Sequence, residues 1–112
     1  MDVGFAEPEI DRRCRTRQDR QRAWGEHAGA IARCLFELSA LSSLADVGLL
    51  PGRELRELGV PGRYRLRSSF GVELVVTAVA SSGNTPAPAS STEAKLLIEE
   101  VTVQNYVQEE AI

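Results

Sequence analysis

Aromatic side chains make up only 5% of the chain, so a core has to be built mostly from Leu, Val, Ile and Ala. One histidine and two cysteines without CxxC spacing exclude a standard zinc site, and nothing else in the sequence implies a metal or a cofactor. Cys14 and Cys34 fall in stretches with helical patterning and read as reduced packing residues, not as a disulfide. The longest mainly apolar run, residues 74–80, is far too short to span a bilayer, so no membrane is expected among the partners. Residues 1–5 lack the basic and apolar regions of a signal peptide, which makes a cytoplasmic location the expectation. The sequence also lacks a phosphate-cradling glycine loop and any paired-carboxylate spacing. Ser68-Ser69 has no His or acid at a recognisable distance, so nucleophilic catalysis by serine is not indicated.

What is present suits one globular domain over residues 1–112, with 43% hydrophobic and 26% charged residues. The net charge of −3 is unevenly spread. Residues 1–72 hold 12 basic and 10 acidic residues, a balance of +2, and residues 73–112 hold one Lys and six Glu, a balance of −5. An acidic total argues against a non-specific nucleic-acid binder, because such affinity comes from cation–phosphate contacts, but a locally basic face remains compatible with one.

Hydrophobic periodicity divides the chain in two. Residues 2–6 suit a short first strand. Pro8 suits the first turn of a helix, where its missing N–H would be unpaired anyway. Residues 9–24 read as one helix carrying Arg12, Arg13, Arg15, Arg17, Arg20 and Arg22, with a thin apolar line of Ile10, Cys14 and Trp24. Gly25 breaks it. A second helix is expected over 26–42, with Ala28, Ile31, Ala32, Leu35, Leu38 and Leu41 on one side, and together the two suggest a helical hairpin. A brief turn after it tucks Leu44 and Val47 under the core. Past Pro51-Gly52 the period shortens to two. Strands are expected at 54–58, 62–69, 72–80 and 94–103, the third of them apolar on both faces like a central strand. Residues 81–92, rich in Ser, Thr, Ala and Pro, read as a flexible connection with too little to bury, and residues 108–112 as an acidic tail. Helices first and strands later predict an α+β fold: a helical hairpin on one face of a twisted, mostly antiparallel meander of four or five strands.

Arg63, Arg65 and Arg67 alternate with Tyr64 and Leu66, which puts all three guanidinium groups on one side of a strand. Two readings fit this row: the wet face of an antiparallel sheet, or a surface that grips phosphate.

The order of helical hairpin, Leu50-Pro51-Gly52 turn, short strand, Gly62-x-Tyr64-x-Leu66 strand, apolar strand and closing Val103-x-Asn105-Tyr106 resembles the RelE/ParE superfamily of toxins. It is most similar to the HigB-type killer branch of type II toxin–antitoxin systems. Residues 43–59 are similar to the family's Leu-Pro-Gly segment and residues 62–76 to its central hairpin. The resemblance implies a bacterial messenger-RNA endonuclease acting on the ribosome, neutralised by a helix-turn-helix antitoxin protein. In it the ribose 2′-OH attacks the adjacent phosphate, so cations beside that phosphate and a proton-transferring group are required. Carried onto this chain, Arg63, Arg65 and Arg67 would contact RNA phosphate, and Tyr106 and Arg65 would be the catalytic residues. The chain departs from the branch's pattern at Glu73, where an Arg is common. It departs again where the branch has Asp-Tyr-His: Asn105 replaces the Asp and Val107 the His, and only Tyr106 of the three is kept. These departures admit an alternative: a RelE-fold binding module that takes an antitoxin-like partner without cutting RNA.

Overall fold

The computed structural model describes residues 1–68 and 71–103. Strand β1 (Asp2–Phe5) leads into α1 (Pro8–Cys14) and α2 (Arg17–Trp24). The single helix expected over 9–24 is therefore two, broken at Arg15-Thr16. The reason is a local hydrogen bond: the Thr16 hydroxyl accepts from the Asp19 backbone N–H at 3.0 Å and starts a new helix. Arg20 closes the break by donating from Nη1 to the Cys14 carbonyl at 2.8 Å, pairing an acceptor that the end of α1 leaves without a partner. Pro8 occupies the first turn of α1, and Gly25, at φ 57°, ends α2 as anticipated.

After a 3-10 turn (Gly25–His27) comes α3 (Ala28–Ala40), which turns Ala28, Ile31, Cys34 and Leu38 into the core, with Leu35 half-buried beside them. Both cysteines are free and buried, Cys14 under α1 and Cys34 on the inner face of α3. A 3-10 stretch (Leu44–Leu49) buries Leu44 and Val47, and a capping box between Ser43 and Asp46 opens it. Arg53, in the turn that follows, grips Glu37 of α3 through two nitrogens, one of them Nε at 3.2 Å from Oε1, and so ties the turn to the helix.

Strands β2 (Glu54–Glu57), β3 (Arg63–Arg67), β4 (Val72–Ala80) and β5 (Ala94–Val103) form an antiparallel meander, and β1 adds to β5 in parallel. The five-stranded sheet has the order β1-β5-β4-β3-β2. The α+β class with a mostly antiparallel sheet thus matches the periodicity. Between the helices and the sheet, Ile31, Leu38, Leu44, Leu74, Leu96 and Ile98 are fully buried, and Val3 and Phe5 of β1 pack against them. Val75 faces Glu100 but Val76 faces Ile98, so Glu99 is the extra residue of a β-bulge in β5.

The segment 81–92 does not match its expectation. Ala87 is buried within the core cluster, and Ala89 packs against it. β4 is longer than β3, and its last residues need other partners. The Ala78 carbonyl accepts from the Ala87 N–H at 2.9 Å, and the Ala80 N–H donates to the Thr85 carbonyl at 2.8 Å. Pro86 bridges to Val79, and the Ala89 carbonyl accepts from Ala45 at 2.8 Å. Apart from Pro86 and Pro88 no apolar side chain here exceeds Ala, which is why the sequence predicts little to bury. The small size of these side chains is what lets this backbone close over the end of β4. Residues 108–112, the expected acidic tail, lie outside the described residues.

Two tests follow from this packing. Gly62 has φ 80°, and a Cβ there would stand 2.9 Å from both the Ala78 carbonyl oxygen and the Pro86 Cβ. Gly62→Ala is expected to cost about 1–3 kcal/mol in urea unfolding. Gly83→Ala, in the same segment but with nothing within 4 Å, should fall within about 0.5 kcal/mol of wild type. The second test concerns alkaline stability. Burial pushes the Cys14 thiol up from 9.0 to about 11. The unfolded thiol then releases its proton first, so this contribution is present below pH 9 and is lost as pH rises from 9 to about 11. Cys14→Ala should flatten that decline when unfolding free energy is followed against pH.

Candidate nucleic-acid interface

Arg63, Arg65 and Arg67 lie on the sheet face opposite the helices, while Tyr64 and Leu66, between them, are buried on the helical side. The expected alternation is thus present, but the three guanidinium groups are not equivalent. Arg63 donates from Nε to Glu99 Oε1 at 3.0 Å, and Thr77 donates its hydroxyl to the other oxygen of the same carboxylate. Arg67 donates from Nε to Glu73 Oε2 at 3.0 Å and has Glu54 at 3.7 Å. Only Arg65 of the three makes no ion pair among the described residues.

Its neighbour is Arg56, which periodicity alone did not single out. The β2–β3 register sets Arg56 directly opposite Arg65, both exposed, and Arg56 likewise forms no ion pair among the described residues. Glu54, Arg56, Arg65 and Arg67 line a hollow of about 40 Å³. Like charges directly opposite on a sheet are destabilising, and Glu54, the carboxylate that lines this hollow, pairs with Arg67 at 3.7 Å and with neither Arg56 nor Arg65. An anion held between two planar guanidinium forks would relieve the repulsion, and phosphate oxygens fit such forks well. The signal for Arg56 was in the sequence only jointly with a hairpin register, which the Pro61-Gly62 turn sets.

Four of the six arginines over residues 12–22 are matched locally. Arg12 and Arg13 share Glu9, Arg15 lies 3.5 Å from Asp11, and Arg22 lies 3.5 Å from Asp19. The Arg12 hydrogen bond and charge hold the Glu9 carboxyl below its usual range. Such i,i+3 and i,i+4 pairs describe a solvated helix face. His27 sits in the turn before α3, 3.9 Å from Glu26, within the helical half of the fold. Tyr106, the expected proton-transferring residue, lies outside the described residues, as do Asn105 and Val107. Among the described residues no cluster of three or more His, Cys, Asp or Glu could hold a metal ion, and no helix is long and apolar enough to cross a membrane.

Comparison of the chain with protein-family models, with curated proteins and with solved structures finds no match. The chemistry of this face follows from its own residues. It offers one cationic pair for an anion, two arginines already neutralised, and a hydroxyl held by a carboxylate.

The asymmetry has a measurable signature in stability. Arg56→Gln or Arg65→Gln removes a repulsion and should leave the protein unchanged or more stable by up to about 1 kcal/mol. Arg63→Gln instead strands the half-buried Glu99 carboxylate and should destabilise by about 1–3 kcal/mol. Thermal or urea unfolding of the three variants, with low and high salt compared, reads both effects.

Proposed function

We propose that this chain is a HigB-type member of the RelE/ParE toxin superfamily: the toxin component of a toxin–antitoxin pair, held inactive by an antitoxin protein and promoting cleavage of messenger RNA on the ribosome. The observation that carries the reading is the order of elements. An N-terminal strand is followed by helices, the Leu50-Pro51-Gly52 turn and a meander whose closing strand returns beside the first. That order agrees with the sequence resemblance along nearly the whole chain. In this reading the outer face of the sheet meets RNA. Arg65, with Arg56 beside it, holds the attacked phosphate and stabilises the charge that builds on its oxygens as the 2′-oxygen loses its proton and bonds to phosphorus, the P–O5′ bond breaks and the 5′-oxygen leaves as a hydroxyl. Proton transfer falls to Tyr106.

One observation favours a second reading. Arg63 and Arg67 are occupied by Glu99 and Glu73, and Glu73 stands where the branch commonly carries an arginine. A RelE-type module that binds its antitoxin-like partner without cutting RNA would keep the fold and tolerate both pairs.

Induced expression in a bacterial host, with growth and transcript 5′ ends followed, separates the two readings. Arrest with new transcript ends, relieved in the Arg56→Ala/Arg65→Ala double variant, is the expected result. Normal growth with intact transcripts rejects the nuclease and leaves the binding module.

A further inference from the structure

The carboxylates that hold Arg63 and Arg67 reach them by different routes. Glu73 is the direct cross-strand neighbour of Arg67. Glu99 reaches Arg63 from two strands away, and only because the bulge in β5 places both Glu99 and Glu100 on the outer face opposite Val75. A bulge gives up regular pairing and bends its strand, and bulges commonly re-aim a side chain. Here the re-aimed group is a carboxylate laid onto a cation. The two ion pairs flank Arg65 on either side along β3, so a polyanion running along that strand meets alternate arginines already filled.

Phosphate does not readily displace these carboxylates. The Glu99 and Glu73 side chains are 24% and 17% exposed, so removing the arginine from either would leave a largely desolvated charge without its partner. Glu99 is further fixed by the Thr77 hydroxyl. By contrast, Glu100 is exposed and forms no ion pair among the described residues.

We propose that Glu99 and Glu73 are the specificity-determining residues of this face: by occupying Arg63 and Arg67 they confine it to one phosphodiester seated on Arg56 and Arg65, and they reject extended binding along an RNA backbone. The inference rests on the RNA-contact reading above and names what limits it. A face with all of its arginines available would bind any polyanion. This one selects a single phosphate, presented where the neighbouring strand of RNA does not have to lie along β3.

The test uses the full chain and a fluorescent single-stranded RNA oligonucleotide, with affinity measured against salt concentration. Each phosphate neutralised on a single strand contributes a slope of about −0.7 in log affinity against log salt. Wild type should give a slope near one such contact. Glu99→Gln should steepen it by about 0.7, Glu73→Gln by less than that because Glu54 still lies 3.7 Å from Arg67, and the double variant by more than either, with tighter binding at low salt. Glu100→Gln removes the same charge without releasing an arginine and should leave the slope unchanged. Arg63→Gln in the Glu99→Gln background should abolish the gain. Thermal melts identify any variant that fails to fold, in which case the other single variant decides. If Glu99→Gln and Glu73→Gln are no steeper than Glu100→Gln, the proposal is overturned, even where Arg56→Gln and Arg65→Gln lose binding and so uphold the RNA reading. If wild type does not bind but the double variant does, the carboxylate role stands and the RNA reading of the native face fails. No binding by any variant overturns both.

Discussion

The long central strand β4 imposes the constraint on which the rest of the fold depends. It buries apolar residues on both sides, Leu74 and Val76 on one and Val75 and Val79 on the other, so it lies inside the sheet, and a buried strand needs every backbone N–H and carbonyl paired along both edges. β5 supplies one edge over its whole length. β3 supplies the other over only part of it, from Arg63 to Arg67. The shortfall at the end of β4 is made up by the Gly62 carbonyl, the Ala87 N–H and the Thr85 carbonyl. The left-handed conformation of Gly62, the close approach of Pro86 and the burial of Ala87 all follow from completing that edge.

The same ladder decides which charges meet on the outer face. Registration of β2 on β3 opposes Arg56 and Arg65, and registration of β3 on β4 opposes Arg67 and Glu73. One extra residue in β5 brings Glu99 across to Arg63. Hydrogen-bonding geometry, not charge attraction, sets these neighbours, because ladder bonds are many and cooperative while each exposed pair contributes about 1 kcal/mol or less. The result is a face whose cations are sorted into occupied and unoccupied, and that sorting bears on function more than the number of arginines does.

Much of the fold was legible in the residues. The change from a 3.6-residue to a 2-residue period near Pro51 separates helices from strands, Gly25 marks the helix boundary, and the apolar run 72–80 announces a central strand. The division of the first helix was not legible from hydrophobic pattern, because Thr16 acts through one hydroxyl–backbone bond among many solvated side chains. Neither was the role of residues 84–89. Their side chains carry almost no hydrophobic signal, and it is their backbone that binds. The arginine row lay on one face as its alternation required, but alternation carries no information about what stands on the next strand.

The sequence by itself determined local conformation and the sorting of side chains into inward and outward faces, since both depend on residues a few positions apart. It set the class of fold and placed Arg63, Arg65 and Arg67 on one outer surface. Only the tertiary structure decided that two of these arginines are neutralised, that Arg56 stands beside the third, and that a proline- and alanine-rich connection closes the core. These outcomes depend on strand register, a bulge and unequal strand lengths. Such quantities are fixed when distant segments share a single hydrogen-bonded ladder, and no window of the sequence contains them.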